Sequence, residues 1–358
     1  IMAKLGFHTV EEMCGHSELL GLKEKGAFER ANLVDMSRII NSESTIHNAE
    51  LVKHHFNPSD VYDFKLENTI DEKIFLPKFE AFLKKEGTSD EAILPLNIDC
   101  SVSSTDRTVG TILGSEIQKH FGNKLEEDSV TVNCTGGGGQ SFGAFIPKGL
   151  TLRLSGDAND GLGKGLSGGK IVVSVPKDAT YKAEENIIVG NVCCFGATSG
   201  QAFINGIAGE RFCVRNSGAT VVAEGCGDHG LEYMTGGLAV ILGATGRNLA
   251  AGMSGGIAYV LDNNHDLYQR LNRELVTMSE LSENHDKETV KTLVEKHVKE
   301  TGSKRGKEIL ENWDENVKSF KKIIPNDYAK MLKFISENEA AGMEHDEAVL
   351  NAFKKMTA

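Results

Sequence analysis

The sequence predicts a mainly β fold, a right-handed parallel β-helix (solenoid) with α-helical N- and C-terminal flanks. The first observation is the distribution of glycine, because 28 of the 39 glycines lie within residues 136–256. The second is that these glycines separate short β-branched or aliphatic runs, at 170–175, 219–223 and 238–242. Such runs are typical of parallel strands whose two faces are both buried.

The third observation is an internal repeat. GATSGQAFINGIAGE, which begins at Gly196, aligns with GATGRNLAAGMSGG, which begins at Gly243, and the spacing from Gly190 to Gly209 is 19 residues. A short repeat with glycine at fixed points is typical of a solenoid, whose coils stack at about 4.8 Å and leave little room at the corners. We expect the following repeat glycines to be structural: Gly165, Gly168, Gly196, Gly200, Gly206, Gly209, Gly243, Gly246, Gly252 and Gly255.

A β-sandwich with glycine-rich turns is the alternative fold. Sandwich strands alternate apolar and polar residues and are joined by hairpins with Asn-Gly or Asp-Gly turns. The Asn205-Gly206 and Asp160-Gly161 pairs lie inside the repeat pattern instead. The spacing therefore favours the solenoid.

The flanks have a different character. Residues 263–358 form a charged tail whose apolar residues recur at helical spacing, for example Val294, His297 and Val298. Near the N-terminus, Thr9-Val-Glu-Glu12 is a capping-box pattern for a short helix. We expect further helices over Asn68–Glu86 and Asp106–Phe121, and a polar, irregular stretch over 41–66.

These features divide the chain into four regions. We expect an N-terminal piece at 1–30, an irregular or helical connector at 31–98, the β-helix at 99–262 and the helical tail at 263–358.

Composition excludes several functions. The formal net charge is −12, which argues against a nucleic-acid groove and against binding to an anionic membrane. No apolar run is long enough to span a membrane. The seven cysteines are an odd number without a CxxC pair, which fits reduced thiols and a cytoplasmic protein.

One glycine-rich segment, Gly161-Leu-Gly-Lys-Gly165, has the composition of a phosphate-binding loop. A dinucleotide fingerprint needs a helix immediately after it, so that the helix N-terminus meets the phosphates. Here Leu-Ser-Gly-Gly and the strand-like run at 170–175 follow instead. The segment therefore favours corners of the solenoid.

The candidate catalytic side chains are Asp157, Asp160, Asp228 and His229. A β-helix enzyme acting on polysaccharides is the function that would use these carboxylates. Asp and Asn also favour turns, and neighbouring Asp and His side chains do not orient each other as a catalytic triad does. Because the repeat region has few aromatic residues for sugar stacking, we disfavour this enzyme. His54-His55 shows no zinc-ligand spacing with cysteine.

Several long motifs are similar to a known family. GQSFGAF (139–145), GKGLSGG (163–169), GATSGQAFINGIAGERF (196–212) and GRNLAAGMSGGIAYVLD (246–262) closely resemble the C-terminal GXGXG (β-helix) domain of the glutamate synthase large (alpha) subunit. The resemblance continues through IIPNDYAKML at 323–332 and covers about 1–335.

The resemblance implies an interdomain role in an enzyme that makes two glutamates from glutamine, 2-oxoglutarate and a reductant. The β-helix would hold the amidotransferase domain and the FMN and iron–sulfur domain in register. It implies FMN, a 3Fe-4S cluster and NAD(P)H or ferredoxin for the parent enzyme, with a small NAD(P)H-oxidising subunit as a candidate partner. For this chain we expect no catalytic residue, no cofactor-binding residue and no metal ligand, because none of the family's catalytic motifs falls on it.

The resemblance also bears on the ends of the chain. Residues 1–30 are similar to the segment just after the FMN-binding barrel, and the chain begins with Ile1, so we expect a piece of a longer protein. A stand-alone GXGXG subunit of a multi-subunit oxidoreductase is the alternative. One departure from the family pattern is the run Gly136–Gly139, which we expect to loosen the local strands.

Overall fold

The computed structural model describes residues 1–14, 16–21, 33–36, 40, 62–86 and 95–357. It divides into two compact units, Ile1–Lys65 and Leu66–Ala358. Of the polar stretch expected over 41–66, residues 41–61 lie outside the described residues, as does His54-His55.

The first unit contains short helices, α1 (Met2–Leu5) and α2 (Val10–Met13), and a 3₁₀ turn at Ser17–Leu19. The capping box predicted before α2 is confirmed. The Thr9 hydroxyl accepts a hydrogen bond from the Glu12 N–H at 3.2 Å, and the Glu12 carboxylate accepts one from the Thr9 N–H at 3.3 Å.

The second unit is a parallel β-solenoid with flanking helices, as predicted. Its strands are β1 (Leu96–Val102), β2 (Val130–Gly138), β3 (Leu150–Ala158), β4 (Ser167–Ser174), β5 (Ile187–Val189), β6 (Ser199–Ala208), β7 (Ser217–Cys226), β8 (Thr235–Ile241), β9 (Gly255–Leu261), β10 (Val276–Glu280) and β11 (Phe320–Pro325). The sheet order is β1-β2-β3-β4-β6-β7-β8-β9-β11-β10, and β5 pairs with β3 and β6. Every pairing from β1 to β9 is parallel.

The strand register confirms the predicted period. Gln201 pairs with Thr220, 19 positions later, and Leu238 pairs with Ile257 at the same interval. Two coils are longer, because Leu96 pairs with Val130, 34 positions later, and Lys170 pairs with Gln201, 31 positions later. The extra residues of the latter coil include a 3₁₀ turn at Ala183–Glu185 and the short strand β5.

Both faces of the central strands are buried, which explains their continuous apolar runs. Ile171 and Val173 point into the solenoid, whereas Val172 between them faces the helices on the outside. The same alternation holds in each following coil, so that a row of outward side chains forms a second core: Val172, Phe203, Val222, Val240 and Tyr259. The strands are thus held by two apolar layers.

Helices lie before β1 and between β1 and β2, and they pack against the first coils. A 3₁₀ turn (Leu66–Asn68) and a π-helical turn (Asp71–Phe75) lead into α3 (Leu76–Glu86), and α4 is Thr111–Phe121. The helix predicted over Asp106–Phe121 begins five residues later than expected. Gly110 has φ +87°, which ends the preceding turn and makes Gly110 the N-cap of α4.

The tail after β9 contains α5 (Asn284–Thr301), α6 (Lys304–Glu311), α7 (Trp313–Ser319), α8 (Asn326–Ala340) and α9 (His345–Thr357). It is not wholly helical, since β10 and β11 also belong to it. β11 pairs antiparallel with β9 and β10 pairs antiparallel with β11. These two strands extend the sheet beyond β9, so the last parallel strand is not an exposed edge. None of the described helices is long and apolar enough to cross a membrane.

Candidate functional site

Opposite the strands, each coil makes a tight segment with an unusual backbone. The first, third and fifth residues of each segment have positive φ, between +53° and +74°. We call these segments together the turn column; they are 141–145, 161–165, 192–196, 211–215, 229–233 and 248–252. Left-handed backbone costs about 1–2 kcal/mol per non-glycine residue, so the surrounding structure must compensate for it.

Hydrogen bonds between coils supply that compensation. In the segment 161–165, each positive-φ N–H donates to a carbonyl of a neighbouring coil: Gly161 to Asn191, Gly163 to Phe142 and Gly165 to Phe195, each at 2.8 Å. The residues between them bond within the coil, since the Lys164 N–H donates to Gly161 and the Leu166 N–H to Gly163 at 3.0 Å. The turn column is therefore a second backbone ladder, which runs along the stack of coils as the strand ladder does.

The glycine-rich run Gly161–Gly165 is thus explained by the turn column. It is the segment with glycine at all three positive-φ positions, where glycine has no steric cost. A phosphate-binding loop needs free backbone N–H groups, but the three glycine N–H groups are already bonded to neighbouring coils. These glycine N–H groups are therefore not free to bind a phosphate.

The ten repeat glycines lie where coils approach each other closely. At nine of them an added Cβ would lie less than 3.0 Å from another atom; these are Gly165, Gly168, Gly200, Gly206, Gly209, Gly243, Gly246, Gly252 and Gly255. At Gly255, for example, the Cβ would lie 2.1 Å from the carbonyl oxygen of Thr235 in the coil before. Gly196 differs, because nothing lies within 4 Å and only its φ of +60° favours glycine.

The run Gly136–Gly139 does not loosen the strands, contrary to expectation. A Cβ on Gly136 would lie 2.2 Å from the Val102 carbonyl oxygen, and one on Gly139 would lie 2.3 Å from that of Asp106. β2 stays paired with β3 as far as Gly138. Gly136 and Gly139 are therefore required by the close packing of the first coils.

The candidate carboxylates lie beside the turn column and bond to backbone. Asp160 Oδ1 accepts a hydrogen bond from the Asn191 N–H at 2.7 Å, and Asp228 Oδ1 accepts one from the Arg247 N–H at 2.6 Å. In each case the carboxylate ties its own coil to the next one. These interactions favour the turn role over an acid–base role.

Asp157 and His229 do not complete a catalytic group. Asp157 lies exposed near the end of β3. The His229 Nδ1 lies 3.2 Å from the Asn248 amide nitrogen and 3.4 Å from Glu232, whereas the adjacent Asp228 bonds to backbone. Within the described residues, no group of three or more His, Cys, Asp or Glu side chains is placed to hold a metal ion.

Three polar clusters between strands and helices were not found from the sequence. The first surrounds Lys170, whose side chain is 2% exposed on β4. Its ammonium group donates to Glu127 and Asp128 at 2.8 Å and to Glu300 of α5 at 3.3 Å. Burial alone would lower the pKa of Lys170, but the hydrogen bonds to these carboxylates outweigh it and raise the pKa.

The second cluster surrounds Glu224, buried on β7. Its Oε1 accepts hydrogen bonds from Ser303 at 2.5 Å and Asn205 at 2.8 Å, and lies 3.4 Å from His297 of α5. In the third cluster, Tyr259 on β9 donates to Asp286 at 2.5 Å, and Lys322 donates to the same carboxylate. The three clusters hold α5 and the start of α6 on the outer face of the strands.

A weak signal for these clusters was present in the sequence. Lys170 begins, and Glu224 ends, an otherwise apolar strand run, and a charged side chain in such a run needs a partner. The partners come from distant parts of the chain, so the sequence alone did not identify them.

A family model described as "GXGXG motif" matches residues 83–326. The chain belongs to the GXGXG family. The match includes the whole parallel ladder from β1 to β9, and also α5, α6 and α7. The alternating glycines of 161–165 occupy the turn column, which gives the family motif its structural reason in this chain.

Curated relatives confirm the resemblance to glutamate synthases. The chain is 42% identical to the "Glutamate synthase [NADPH] large chain" of Bacillus subtilis (strain 168), over 99% of this chain and 23% of that protein. It is 43% identical to "Glutamate synthase [NADH]" of Schizosaccharomyces pombe, over 96% of this chain and 16% of that protein. It is 38% identical to "Ferredoxin-dependent glutamate synthase 2" of Synechocystis sp., over 91% of this chain and 20% of that protein.

The chain therefore spans only about a fifth of the length of these relatives.

Proposed function

We propose that this chain is the β-helix domain of a glutamate synthase large chain and that its role is structural. It would hold the amidotransferase domain and the FMN-binding domain of the same enzyme in register. The observation that carries the proposal is the continuous double ladder, strands on one side and the turn column on the other. A solenoid bonded on both sides is stiff, and a stiff element suits two catalytic domains that must pass an intermediate.

In this proposal the chain has no active site of its own. The candidate carboxylates Asp160 and Asp228 support this, because both are engaged in bonds to backbone. FMN, a 3Fe-4S cluster and the electron donor would bind elsewhere in the cytoplasmic enzyme. The names of the relatives include NADPH, NADH or ferredoxin, which supports the proposal that the parent enzyme uses a donor of this kind.

Proline substitutions in the full-length enzyme test the scaffold role. Val172→Pro and Val240→Pro each remove a backbone N–H from a central strand. We expect these variants to hydrolyse glutamine without making a matching amount of glutamate, measured as the ratio of the two rates. Val172→Ala and Val240→Ala are the matched controls, because they shorten the same buried side chains and keep the N–H.

Coupled activity that survives both proline substitutions would refute the scaffold role.

The size of the native gene product tests whether the chain is part of a longer protein. An immunoblot against this chain should give a band several times larger than the chain's 38.8 kDa. A band near that mass would instead support a stand-alone subunit with separate catalytic partners.

A further inference from the structure

Two cysteines face each other at the first pair of strands. Cys100 on β1 and Cys134 on β2 are register partners, and their sulfur atoms lie 3.4 Å apart. Both thiols are free. Register partners on neighbouring parallel strands have Cα atoms about 4.8 Å apart, which lies within the range of about 4.4–6.8 Å that a disulfide allows.

The position of this pair in the solenoid is unusual. The two cysteines begin an inward-facing row that continues through aliphatic side chains in the later coils: Leu154, Val173, Ile204, Ala223, Ile241 and Val260. The later members of this row are buried, but its first member, Cys100, lies on the edge strand β1. Cys100 is accordingly half-buried, whereas Cys134 is 2% exposed. Cys100 is therefore the member of the pair that a soluble oxidant would meet first.

The surroundings of Cys100 and Cys134 favour different roles for the two thiols, one as the attacking thiol and one as the resolving thiol. The hydrogen bond with Cys134 lowers the pKa of Cys100 against the opposing effect of burial, and the positive charge of Lys78 on α3 acts in the same direction. The same hydrogen bond and burial raise the pKa of Cys134. Cys100 is thus the better nucleophile, and Cys134 is the thiol close enough to attack a mixed disulfide formed on Cys100.

We propose that Cys100 and Cys134 form a redox-active dithiol that a soluble disulfide such as oxidised glutathione converts to an intrachain disulfide. The Cys100 thiolate attacks one sulfur of oxidised glutathione, forms a mixed disulfide and releases one glutathione thiolate. Cys134 then loses its proton to solvent, attacks the Cys100 sulfur and releases the second glutathione. Two protein thiols are oxidised, and one oxidised glutathione is reduced to two molecules of glutathione. The inference does not depend on the proposed function.

A second stacked pair gives an internal control. Cys194 and Cys213 lie in successive segments of the turn column and share a side-chain hydrogen bond. Both are completely buried, so an oxidant cannot reach either sulfur while the protein is folded. The two pairs differ in their exposure to a soluble oxidant. Comparing their oxidation therefore distinguishes the effect of solvent access from the effect of having two thiols close together.

The experiment uses the native protein that carries this chain, with the exposed Cys14 changed by Cys14→Ser. The folded protein is incubated with oxidised glutathione, free thiols are alkylated, and the digested peptides are mapped by mass spectrometry without reduction. We expect a disulfide between the Cys100 and Cys134 peptides, reversed by dithiothreitol. Its occupancy should be at least about tenfold higher than that of any Cys194–Cys213 link, since exchange requires access.

Two variants test the order of the steps. In Cys134→Ala, glutathione should remain attached to Cys100, because no second thiol resolves the mixed disulfide. In Cys100→Ala, Cys134 should stay unmodified. A stable glutathione adduct on Cys100 in the protein with both cysteines would overturn the proposal. The absence of any reaction, or equal oxidation of the Cys194–Cys213 pair in the folded protein, would overturn it too.

Discussion

Each coil of the solenoid has two sides that stack at the same interval but are held differently. On the strand side, apolar side chains are buried on both faces of the sheet, for example Val221 on the inner face and Val222 on the outer face. On the turn-column side, residues such as Val192 (φ +60°) adopt a strained backbone that is held by N–H bonds to the next coil. Both sides are paired through the backbone, but the strand side uses an extended backbone and the turn column a left-handed one.

The same substitution should therefore have opposite effects on the two sides. Val222→Gly removes a fully buried side chain from a strand, and we expect a loss of about 4 kcal/mol in the free energy of unfolding. Val192→Gly relieves a β-branched residue with positive φ, and we expect a gain of about 1 kcal/mol. Urea unfolding followed by circular dichroism measures both. Equal losses at the two positions would mean that the turn column also depends on side-chain packing.

The buried Lys170 tests how strongly the helices add to the strand side. Lys170→Met leaves Glu300, a buried carboxylate, without this partner, and we expect a loss of about 3 kcal/mol at pH 7. Lys170 also lowers the pKa of Asp128 and Glu127, outweighing their burial, so the wild-type cluster contributes stability that is lost as the pH falls through those lowered values. The difference between variant and wild type should shrink between pH 7 and pH 3. A constant difference over that range would show that charge plays no part.

Alanine substitutions at two glycines distinguish the cost of a steric clash from the cost of an unfavourable backbone conformation. Gly255→Ala places a Cβ 2.1 Å from a backbone oxygen, and we expect a loss of about 2 kcal/mol because the coils must move apart. Gly196→Ala meets open space but has positive φ, so the expected loss is about 1 kcal/mol. Thermal unfolding of both variants gives the comparison. A larger loss for Gly196→Ala would show that conformation outweighs space.

The smallest expected effect is at the helix contact of Tyr259. Tyr259→Phe removes one hydrogen bond to Asp286, whose carboxylate keeps its bonds from Lys322. We expect a loss of about 1 kcal/mol in the free energy of unfolding, the usual contribution of one such bond. Lys322→Met is the companion change, and it should cost more because Asp286 would lose its counter-charge. If the phenylalanine variant cost more than the methionine one, the ion pair would not be the main link.

The sequence predicted the elements that depend on local pattern. The runs at 170–175, 219–223 and 238–242 are β4, β7 and β8, and the capping box of α2 formed as expected. It missed β10 and β11, because both strands pair only at long range. β11 pairs with β9 about 60 residues away, and β10 pairs with β11 about 45 residues away, within a charged, mostly helical tail. A strand that pairs only at long range carries no periodic signal strong enough to oppose its helical surroundings.

The candidate site was predicted in its composition but not in its geometry. The motif at Gly161–Gly165 indicated corners, yet nothing local specified alternating φ or a ladder between coils. At Val192 and Cys194, which occupy the same positions one coil later, the sequence even disfavours that backbone. Hydrogen bonds from the neighbouring coils impose it there, and those neighbours are known only once the coils are stacked.

By itself, the sequence determined the 19-residue period, the parallel solenoid and the membership of the GXGXG family, because a period of glycines and aliphatic runs is a local property of the chain. Tertiary structure alone decided which buried charges meet, as in Lys170 with Glu300, and which thiols face each other, as in Cys100 with Cys134. These pairs join residues 130 and 34 positions apart. Their distances are set by stacking register and helix docking, which depend on the packing of the whole solenoid.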